Sequence, residues 1–157
     1  MPGKVSITVG LPGSGKTHVA KLMHADNPDD VLLVSRDGLR AELFNGEGIL
    51  SPYEENYITK VQKGIVKDAL RVGKHVIIHD MNLRERYRNQ WAKIAYNQGA
   101  EFEIIDLTSV DLAVCIARDI CRERHVGPEV IRDLHKRFIV PLNGRPVDGP
   151  EDRKSVV

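Results

Sequence analysis

The sequence predicts an α/β fold in which a parallel sheet of four or five strands is flanked by helices. Two observations carry this prediction: four short apolar runs rich in β-branched residues, and helical patterns between them. Such runs are typical of strands buried on both faces, as in a parallel sheet. Strands that alternate with helices indicate right-handed crossovers between parallel neighbours.

The elements can be placed along the chain. The predicted strands are Val5–Val9, Val31–Ser35, His75–His79 and Phe102–Leu107. The predicted helices are Thr17–Ala25, Tyr53–Arg71, Arg84–Asn97, Val110–Ile120 and Pro128–Ile139. The second of these helices carries Tyr53, Tyr57, Val61, Ile65 and Ala69 or Leu70 at i, i+4 spacing, which predicts its buried face. Gly73 and Gly99 are helix stops, and Pro128 suits a first turn.

The length of 157 residues fits one domain. We assign residues 1–140 to that domain and 141–157 to a C-terminal extension, because the last residues are rich in proline, glycine and charge. The composition, 41% hydrophobic and 29% charged, is that of a soluble globular protein. No apolar run reaches the roughly 18 residues of a membrane span, and the N-terminus leaves no room for a signal peptide.

The two cysteines, Cys115 and Cys121, have neither a metal-binding spacing nor a disulfide framework. A reducing cytoplasm is therefore the expected location. Charge is unevenly distributed: residues 26–56 hold eight acids and two bases, whereas residues 57–100 hold nine bases and three acids. The basic stretch is either a solvated helix surface or a face suited to a polyanion.

A phosphate-binding loop follows the first strand. Gly10, Gly15, Lys16 and Thr17 meet the pattern G-x-x-x-x-G-K-[ST] between an apolar strand and a helical pattern. Glycines let the backbone N–H groups wrap the phosphates, and the helix N-terminus adds its dipole. Lys16 is expected to reach the β- and γ-phosphates and the Thr17 hydroxyl to bind Mg²⁺. The predicted ligand is ATP with Mg²⁺, bound by Gly10, Pro12, Gly13, Ser14, Gly15, Lys16 and Thr17.

The acceptor side is predicted from the end of the second strand. Ligands of open α/β sheets bind outside the carboxyl ends of the strands. Asp37 stands just past that end, where a carboxylate can orient and deprotonate an attacking hydroxyl. Arg40, one turn later, can hold an anionic group of the acceptor. Alternatively Asp37 caps a helix that begins at Gly38, and both roles can coexist.

An acid also follows the third strand. Asp80 comes after a mostly apolar strand, in the arrangement of a Walker-B acid that holds Mg²⁺ or its water shell. Alternatively Asp80 caps the start of the following helix, although Asn82 is also a candidate for that cap. His79 is either a structural hydrogen bonder or a catalytic group.

The last informative segment carries two arginines. Arg118 and Arg122 lie four residues apart, on one face of a helix. Near a short element between two helices, such cations can close over ATP as a lid and stabilise the transferring phosphoryl group. The alternative is a solvated face in which they pair with Asp119 and Glu123.

Four blocks taken together resemble the kinase domain of phage polynucleotide 5′-kinases, from Val5 to about Pro141. The blocks are Gly10–Thr17, Ser35–Arg40, His79–Leu83 and Arg118–Gly127. The resemblance implies a P-loop kinase fold with a helical lid, and transfer of the γ-phosphate of ATP to a 5′-hydroxyl end of DNA or RNA. It also implies end repair, a possible homodimer, and the host cytoplasm if the chain is phage-encoded.

The resemblance also implies roles for single residues. Asp37 would be the general base, Arg40 would hold the acceptor's neighbouring phosphate, and Arg122 would be the lid arginine on the ATP phosphates. Arg84, Arg86 and Arg88 of the basic stretch would flank the acceptor strand. The sequence departs from well-known members in lacking an Asp-x-Asp phosphatase motif, so 3′-end healing is not expected, and in carrying Gly38 where the best-known member has a second acid.

Other functions would use the same residues. A kinase for a nucleoside, a small metabolite or a hydroxymethylated DNA base would also need Lys16, Thr17 and an acid at Asp37. A module that only senses ATP would need no base at the acceptor site, so Asp37 argues against it.

Overall fold

The computed structural model describes residues 2–45 and 49–147. The strands are β1 Lys4–Val9, β2 Val31–Val34, β3 His75–Ile78 and β4 Glu101–Asp106. The helices are α1 Lys16–Asp26, α2 Arg36–Phe44, α3 Pro52–Arg71, α4 Glu85–Asn97, α5 Leu112–Ile120 and α6 Pro128–Leu134. A π-helical turn, His135–Ile139, and a 3₁₀ turn, Val140–Leu142, continue α6.

The four strands are all parallel and lie in the order β2-β3-β1-β4. On one face of the sheet, Val5, Ile7 and Val9 pack against α3 and α4. On the other face, Ile77 packs against Ala20 of α1. Helices cover both faces of the sheet, and the predicted α/β fold with a four-stranded parallel sheet is confirmed.

Helix α3 has the predicted extent but a different buried face. Tyr53 is 81% exposed and Tyr57 47% exposed, whereas the residues enclosed by the protein are Ile58, Gln62, Val66, Ala69 and Leu70. The expected face was therefore wrong by about one residue of rotation in the first turns of the helix, whereas Ala69 and Leu70 are buried as predicted. Gln62 lies on the buried face although it is polar, so a pattern based on hydrophobicity does not identify that face.

The residue at the N-cap of α2 is Ser35, whose hydroxyl accepts the N–H of Gly38 at 3.0 Å. Asp37 lies inside the first turn, so the alternative that it caps the helix is wrong. Neither Asp80 nor Asn82 caps α4, which begins at Glu85 after Arg84.

The predicted C-terminal extension is described only to Val147. Val147 is 9% exposed and belongs to the main core cluster, which Leu142 also contacts. Its backbone N–H donates to the Asp106 carboxylate at 3.0 Å. Residues 148–157 lie outside the described residues, so the boundary between domain and extension stays a prediction. Within the described ranges, no helix is both long and apolar enough to cross a membrane.

Candidate active site

A cleft of about 980 Å³ opens at the carboxyl edge of the sheet. The P-loop forms one wall, α2 and the first half of α3 form the second, and the β3–α4 connection with the end of α5 forms the third. Ten residues predicted from the sequence line it together: Pro12, Gly13, Gly15, Lys16, Thr17, Asp37, Arg40, Asp80, Arg118 and Arg122. Gly10 and Ser14, also predicted, are buried beneath the loop.

The P-loop requires glycine at two positions. Gly13 and Gly15 have φ angles of 82° and 99°, in the left-handed region that side chains disfavour. A Cβ on Gly13 would also lie 2.2 Å from the carbonyl oxygen of Cys115 in α5. Close contact with α5 therefore fixes the loop. Gly15 is the N-cap of α1 and offers no side-chain cap, which leaves the first N–H groups of α1 for an anion.

Lys16 is a half-buried cation that lines the cleft. Its Nζ donates to the carbonyl oxygen of Leu11 at 2.7 Å. The pKa of Lys16 is lowered from its ordinary value of 10.5 to about 8, chiefly by burial, and the nearby Arg122 contributes to the lowering. A bound anion would restore the favoured charged state, so the chemistry of this position fits a phosphate group.

Thr17 faces the end of β3. Its hydroxyl lies 3.2 Å from Nδ1 of His79. Burial lowers the pKa of His79, which favours the neutral imidazole. The contact thus links the P-loop hydroxyl to the segment that carries Asp80.

Both carboxylate oxygens of Asp80 accept hydrogen bonds. Oδ1 accepts the backbone N–H of Arg36 at 2.8 Å, and Oδ2 accepts from Nε2 of Gln62 at 2.7 Å. Burial raises the pKa of Asp80, while these two donors act in the opposite direction. Asp80 therefore ties the start of α2 to the middle of α3, a structural role that the sequence did not indicate.

The donors around the P-loop fit a magnesium ion that also binds phosphates. Mg²⁺ is usually held by one or two protein oxygens, with phosphate oxygens and waters completing its shell. The Thr17 hydroxyl and the Asp80 carboxylate line the same cleft and supply such oxygens. Among the residues described, no cluster of three or more His, Cys, Asp or Glu forms a metal site by itself. The metal-binding role of Thr17 and Asp80 remains a prediction.

Asp37 and Arg40 are paired at the rim of the cleft. Nη1 of Arg40 donates to Oδ1 of Asp37 at 2.7 Å, and Nε and Nη2 reach Oε1 of Glu55 at 2.8 and 2.7 Å. The bond from Arg40 lowers the pKa of Glu55, against the effect of burial. Asp37 is 83% exposed at its side chain and is therefore accessible to an acceptor.

Glu55 is a site residue that sequence reasoning missed. It lies in the first turn of α3, and it also accepts from Arg36 at 3.5 Å. The only feature of the sequence that pointed to Glu55 was its place in the acidic stretch of residues 26–56. Its partner Arg40 is fifteen residues away along the chain, and only packing of α2 on α3 brings the two together.

The two arginines near the end of α5 both line the cleft. Nη1 of Arg118 lies 3.4 Å from the carbonyl oxygen of Gly13, and Nη1 of Arg122 lies 3.9 Å from Oδ1 of Asp119. Arg122 pairs locally with Asp119 and also lines the cleft, and its role as a lid arginine stays a prediction.

Asp119 is fully buried although it is an acid. Its carboxylate accepts the backbone N–H groups of Val126 and Gly127 at 3.0 and 2.9 Å. The connection from α5 to α6 is therefore folded back on the end of α5. This places Val126 against the cleft.

The three arginines expected beside the acceptor differ in location. Arg88 is buried, and its Nη1 donates to the carbonyl oxygens of Asn82 and Leu83 at 3.1 and 2.8 Å. The expectation that Arg88 contacts the acceptor is therefore wrong, since it supports the β3–α4 connection. Arg84 lines the cleft and lies 5.3 Å from the centre of the Phe138 ring.

The sheet is parallel and carries a P-loop between β1 and α1, and a cleft joins this loop to charged side chains. This arrangement defines a nucleotide-binding P-loop domain of the kinase type. Residues 5–141 match the family model described as an AAA domain. The chain belongs to that AAA domain family.

The similar proteins include an adenylate kinase and chains of a repair complex. An adenylate kinase of Sulfurovum sp. is 31% identical over 130 residues, which cover 79% of this chain and 65% of that protein. A chain of the Pnkp1/Rnl/Hen1 complex is 26% identical, with a TM-score of 0.67 over 80% of this chain and 41% of that one.

A chain of the Pnkp1/Rnl/Hen1 RNA repair complex is 24% identical, with a TM-score of 0.77 over 93% of this chain and 48% of that one. At this identity the likeness shows the fold. The chain spans less than half the length of the solved chains and 65% of the adenylate kinase.

Proposed function

We propose that this protein transfers the γ-phosphate of ATP to the 5′-hydroxyl end of a polynucleotide, DNA or RNA. The observation that carries the proposal is the pairing of Asp37 with Arg40, 2.7 Å apart, at the rim of the P-loop cleft. A carboxylate suits an acceptor that must lose a proton, and a guanidinium beside it suits an acceptor that carries a phosphate.

The donor side of the reaction rests on the P-loop. Lys16 and the N–H groups at the start of α1 bind the phosphates of ATP, and Arg118 and Arg122 stabilise the charge on the transferring group. Mg²⁺, held by Thr17 and by Asp80 or its water shell, neutralises phosphate charge when it is bound.

On the acceptor side, the 5′-hydroxyl replaces Arg40 as the hydrogen-bonding partner of Asp37. Arg40 remains held by Glu55 and turns its free Nη1 towards the phosphate of the acceptor's first nucleotide. Asp37 accepts the hydroxyl proton as the oxygen forms its bond to the γ-phosphorus, and the bond from that phosphorus to ADP breaks. One chain of an RNA repair complex shares this fold, and this likeness supports a polynucleotide acceptor.

A second candidate is a nucleoside monophosphate kinase, which the adenylate kinase relative favours. Its acceptor is a phosphate oxygen that is already ionised and needs no base. A carboxylate at the acceptor position would repel that phosphate, so Asp37 favours a hydroxyl acceptor. Kinases of a nucleoside, a small metabolite or a hydroxymethylated base share the need for Asp37 and differ in the size of the acceptor.

Label transfer from γ-labelled ATP tests the proposal directly. The acceptors are 5′-hydroxyl DNA and RNA oligonucleotides, a nucleoside 3′-phosphate, a nucleoside and AMP. We expect transfer to the oligonucleotides, weaker transfer to the nucleoside 3′-phosphate and little to the nucleoside or AMP. Preferred conversion of AMP to ADP would establish the second candidate instead, and equal use of the free nucleoside would reject a polynucleotide acceptor.

A further inference from the structure

A second concave surface lies between the outer faces of α3 and α4, which belong to the same core cluster. It encloses about 360 Å³. Four cationic residues, three amide residues and one isoleucine line it: Lys63, Lys67, Arg71, Gln90, Lys93, Ile94, Asn97 and Gln98. We call this surface the basic groove.

The basic groove is continuous with the active-site cleft. Lys63 of α3 and Gln90 of α4 line both of them. In α3, the cleft residues precede Lys63 and the groove residues follow it; in α4, the cleft extends to Trp91 and the groove continues from Lys93 to Gln98. A chain that leaves the cleft between the two helices therefore enters the groove without crossing another element.

The charge of the groove is available to a ligand. No carboxylate lines it, and within the described ranges Lys63, Lys67 and Lys93 make no ion pair. Arg71 is the exception, since it pairs with Asp68 at 2.5 Å. Lys63 and Lys67 are half-buried and Lys93 is exposed. Accessible lysines without acidic partners are typical of a surface that binds an anionic chain.

The spacing of the cations suits a row of phosphates. Lys63, Lys67 and Arg71 follow one another at i, i+4 on one side of α3, a distance of about 12 Å along the helix. Phosphates of one strand recur about every 3.4 Å along a duplex axis and somewhat farther apart in an extended strand. Gln90 and Asn97 on the opposite wall supply amide donors of the kind that bind phosphate oxygens.

We infer that the basic groove binds the sugar–phosphate backbone of the acceptor strand beyond its first nucleotides. The inference rests on the proposed function, because the strand that it binds is the one whose 5′ end lies in the cleft. It assigns a task to Lys67 and Lys93, whereas the sequence had directed attention to Arg84, Arg86 and Arg88.

The test uses the variant Lys67→Glu/Lys93→Glu, since neither residue lines the cleft. The matched control is Lys60→Glu/Lys136→Glu, two exposed lysines outside both the groove and the cleft. Transfer is measured with a 5′-hydroxyl dinucleotide and with a single strand of about 16 nucleotides, a length that fills a typical single-strand site. Binding of a labelled strand of that length is measured separately by fluorescence anisotropy over a range of salt concentrations.

We expect the groove variant to raise KM for the long strand by about tenfold and to leave kcat and the dinucleotide reaction unchanged. The slope of log affinity against log salt should fall by about 1.4, which is about 0.7 for each lost phosphate contact. An effect no larger than that of the control variant, or equal losses with both acceptors, would overturn the inference. So would competition by poly-glutamate as effective as that by the oligonucleotide, because the groove would then select an acidic protein chain.

The two proposals fail in different ways. If the unaltered protein binds the long strand through the groove but phosphorylates no 5′-hydroxyl acceptor, the proposed function is wrong and the groove is a nucleic-acid-binding surface that serves another purpose. If it phosphorylates both acceptors with the same KM and the groove variant behaves like the control, the groove assignment is wrong and the proposed function stands.

Discussion

The backbone N–H of Arg36 donates to Oδ1 of Asp80 at 2.8 Å, across forty-four residues of chain. This hydrogen bond joins the end of β3 to the first residue of α2, the helix that carries Asp37 and Arg40. The proposed acceptor side of the cleft is therefore attached to the same acid whose position after the third strand suggested a magnesium ligand.

Replacing Asp80 separates its two roles. Asp80→Ala leaves the Arg36 N–H and the Gln62 amide without an acceptor, so we expect a loss of about 1–3 kcal/mol in the free energy of unfolding. Asp80→Asn keeps one acceptor oxygen and should lose clearly less, as measured by urea denaturation. If Asp80 also binds Mg²⁺, the Asn variant will need a higher Mg²⁺ concentration for half-maximal transfer. An unchanged Mg²⁺ requirement would leave Asp80 with the structural role alone.

Replacing Asp37 tests the base. Asp37→Asn retains the size of the side chain but cannot accept the hydroxyl proton, so we expect a 10²–10⁴-fold fall in kcat, roughly the contribution of a general base. ATP binding, measured by calorimetry, should remain nearly unchanged because Asp37 stands on the acceptor side. A parallel loss of ATP binding would contradict the assignment.

Glu55 positions Arg40, and its replacement should affect the acceptor more than the donor. Glu55→Gln removes the negative partner of a charge-assisted pair, which contributes about 1.5–3 kcal/mol. We expect KM for a 5′-hydroxyl oligonucleotide to rise by at least tenfold, with a smaller change in KM for ATP. Glu55→Asp retains the charge and serves as the control, which should recover part of the loss. Equal changes in both KM values would indicate a general disturbance of the cleft.

Two glycines give opposite predictions for the same substitution. Gly13→Ala places a Cβ 2.2 Å from a carbonyl oxygen of α5 and at positive φ, so the loop must move and ATP should no longer raise Tm. Gly64→Ala lies in α3, where a Cβ meets no atom within 4 Å. We expect that variant to be more stable by about 0.5–1 kcal/mol, because alanine favours helix. An ATP-dependent rise in Tm for Gly13→Ala equal to that of the unaltered protein would contradict the account of the loop.

His75 predicts a dependence of stability on pH. Its Nε2 lies 2.7 Å from Oγ of Ser6, which in turn donates to Glu103 at 2.9 Å. Burial lowers the pKa of His75, with Lys4 adding to the effect. The folded state therefore binds this proton less readily than the unfolded state, whose histidine titrates near 6.5. The contribution to stability is complete above about pH 6.5 and is lost as the pH falls towards the lowered value.

The measurement is the urea midpoint at about pH 7.5 and pH 5.5. We expect the unaltered protein to lose stability on acidification and His75→Gln to lose less. The same loss in both proteins would show that another group is responsible.

The sequence by itself determined the donor side of this protein. The P-loop is a contiguous motif, and the strand before it and the helix after it are each recognisable from neighbouring residues, so Lys16, Thr17 and the α/β fold could be predicted. Asp37, Arg40, Arg118 and Arg122 were placed at the cleft for the same reason, since each lies at or shortly after the end of a predicted element. These inferences succeed because hydrophobic periodicity and loop chemistry are local properties.

Only the tertiary structure decided which partners those residues have. The rotation of α3 about its axis brings Gln62 into contact with Asp80 and Glu55 into contact with Arg40. This rotation could not be predicted from hydrophobicity, because the buried face includes the polar residue Gln62. The same packing buries Arg88 against backbone carbonyls and leaves Lys67 and Lys93 along an open groove, although all three belong to one basic stretch. Composition cannot separate them, because the energy of a charge depends on its desolvation and its neighbours, and both are set by contacts between residues distant in the chain.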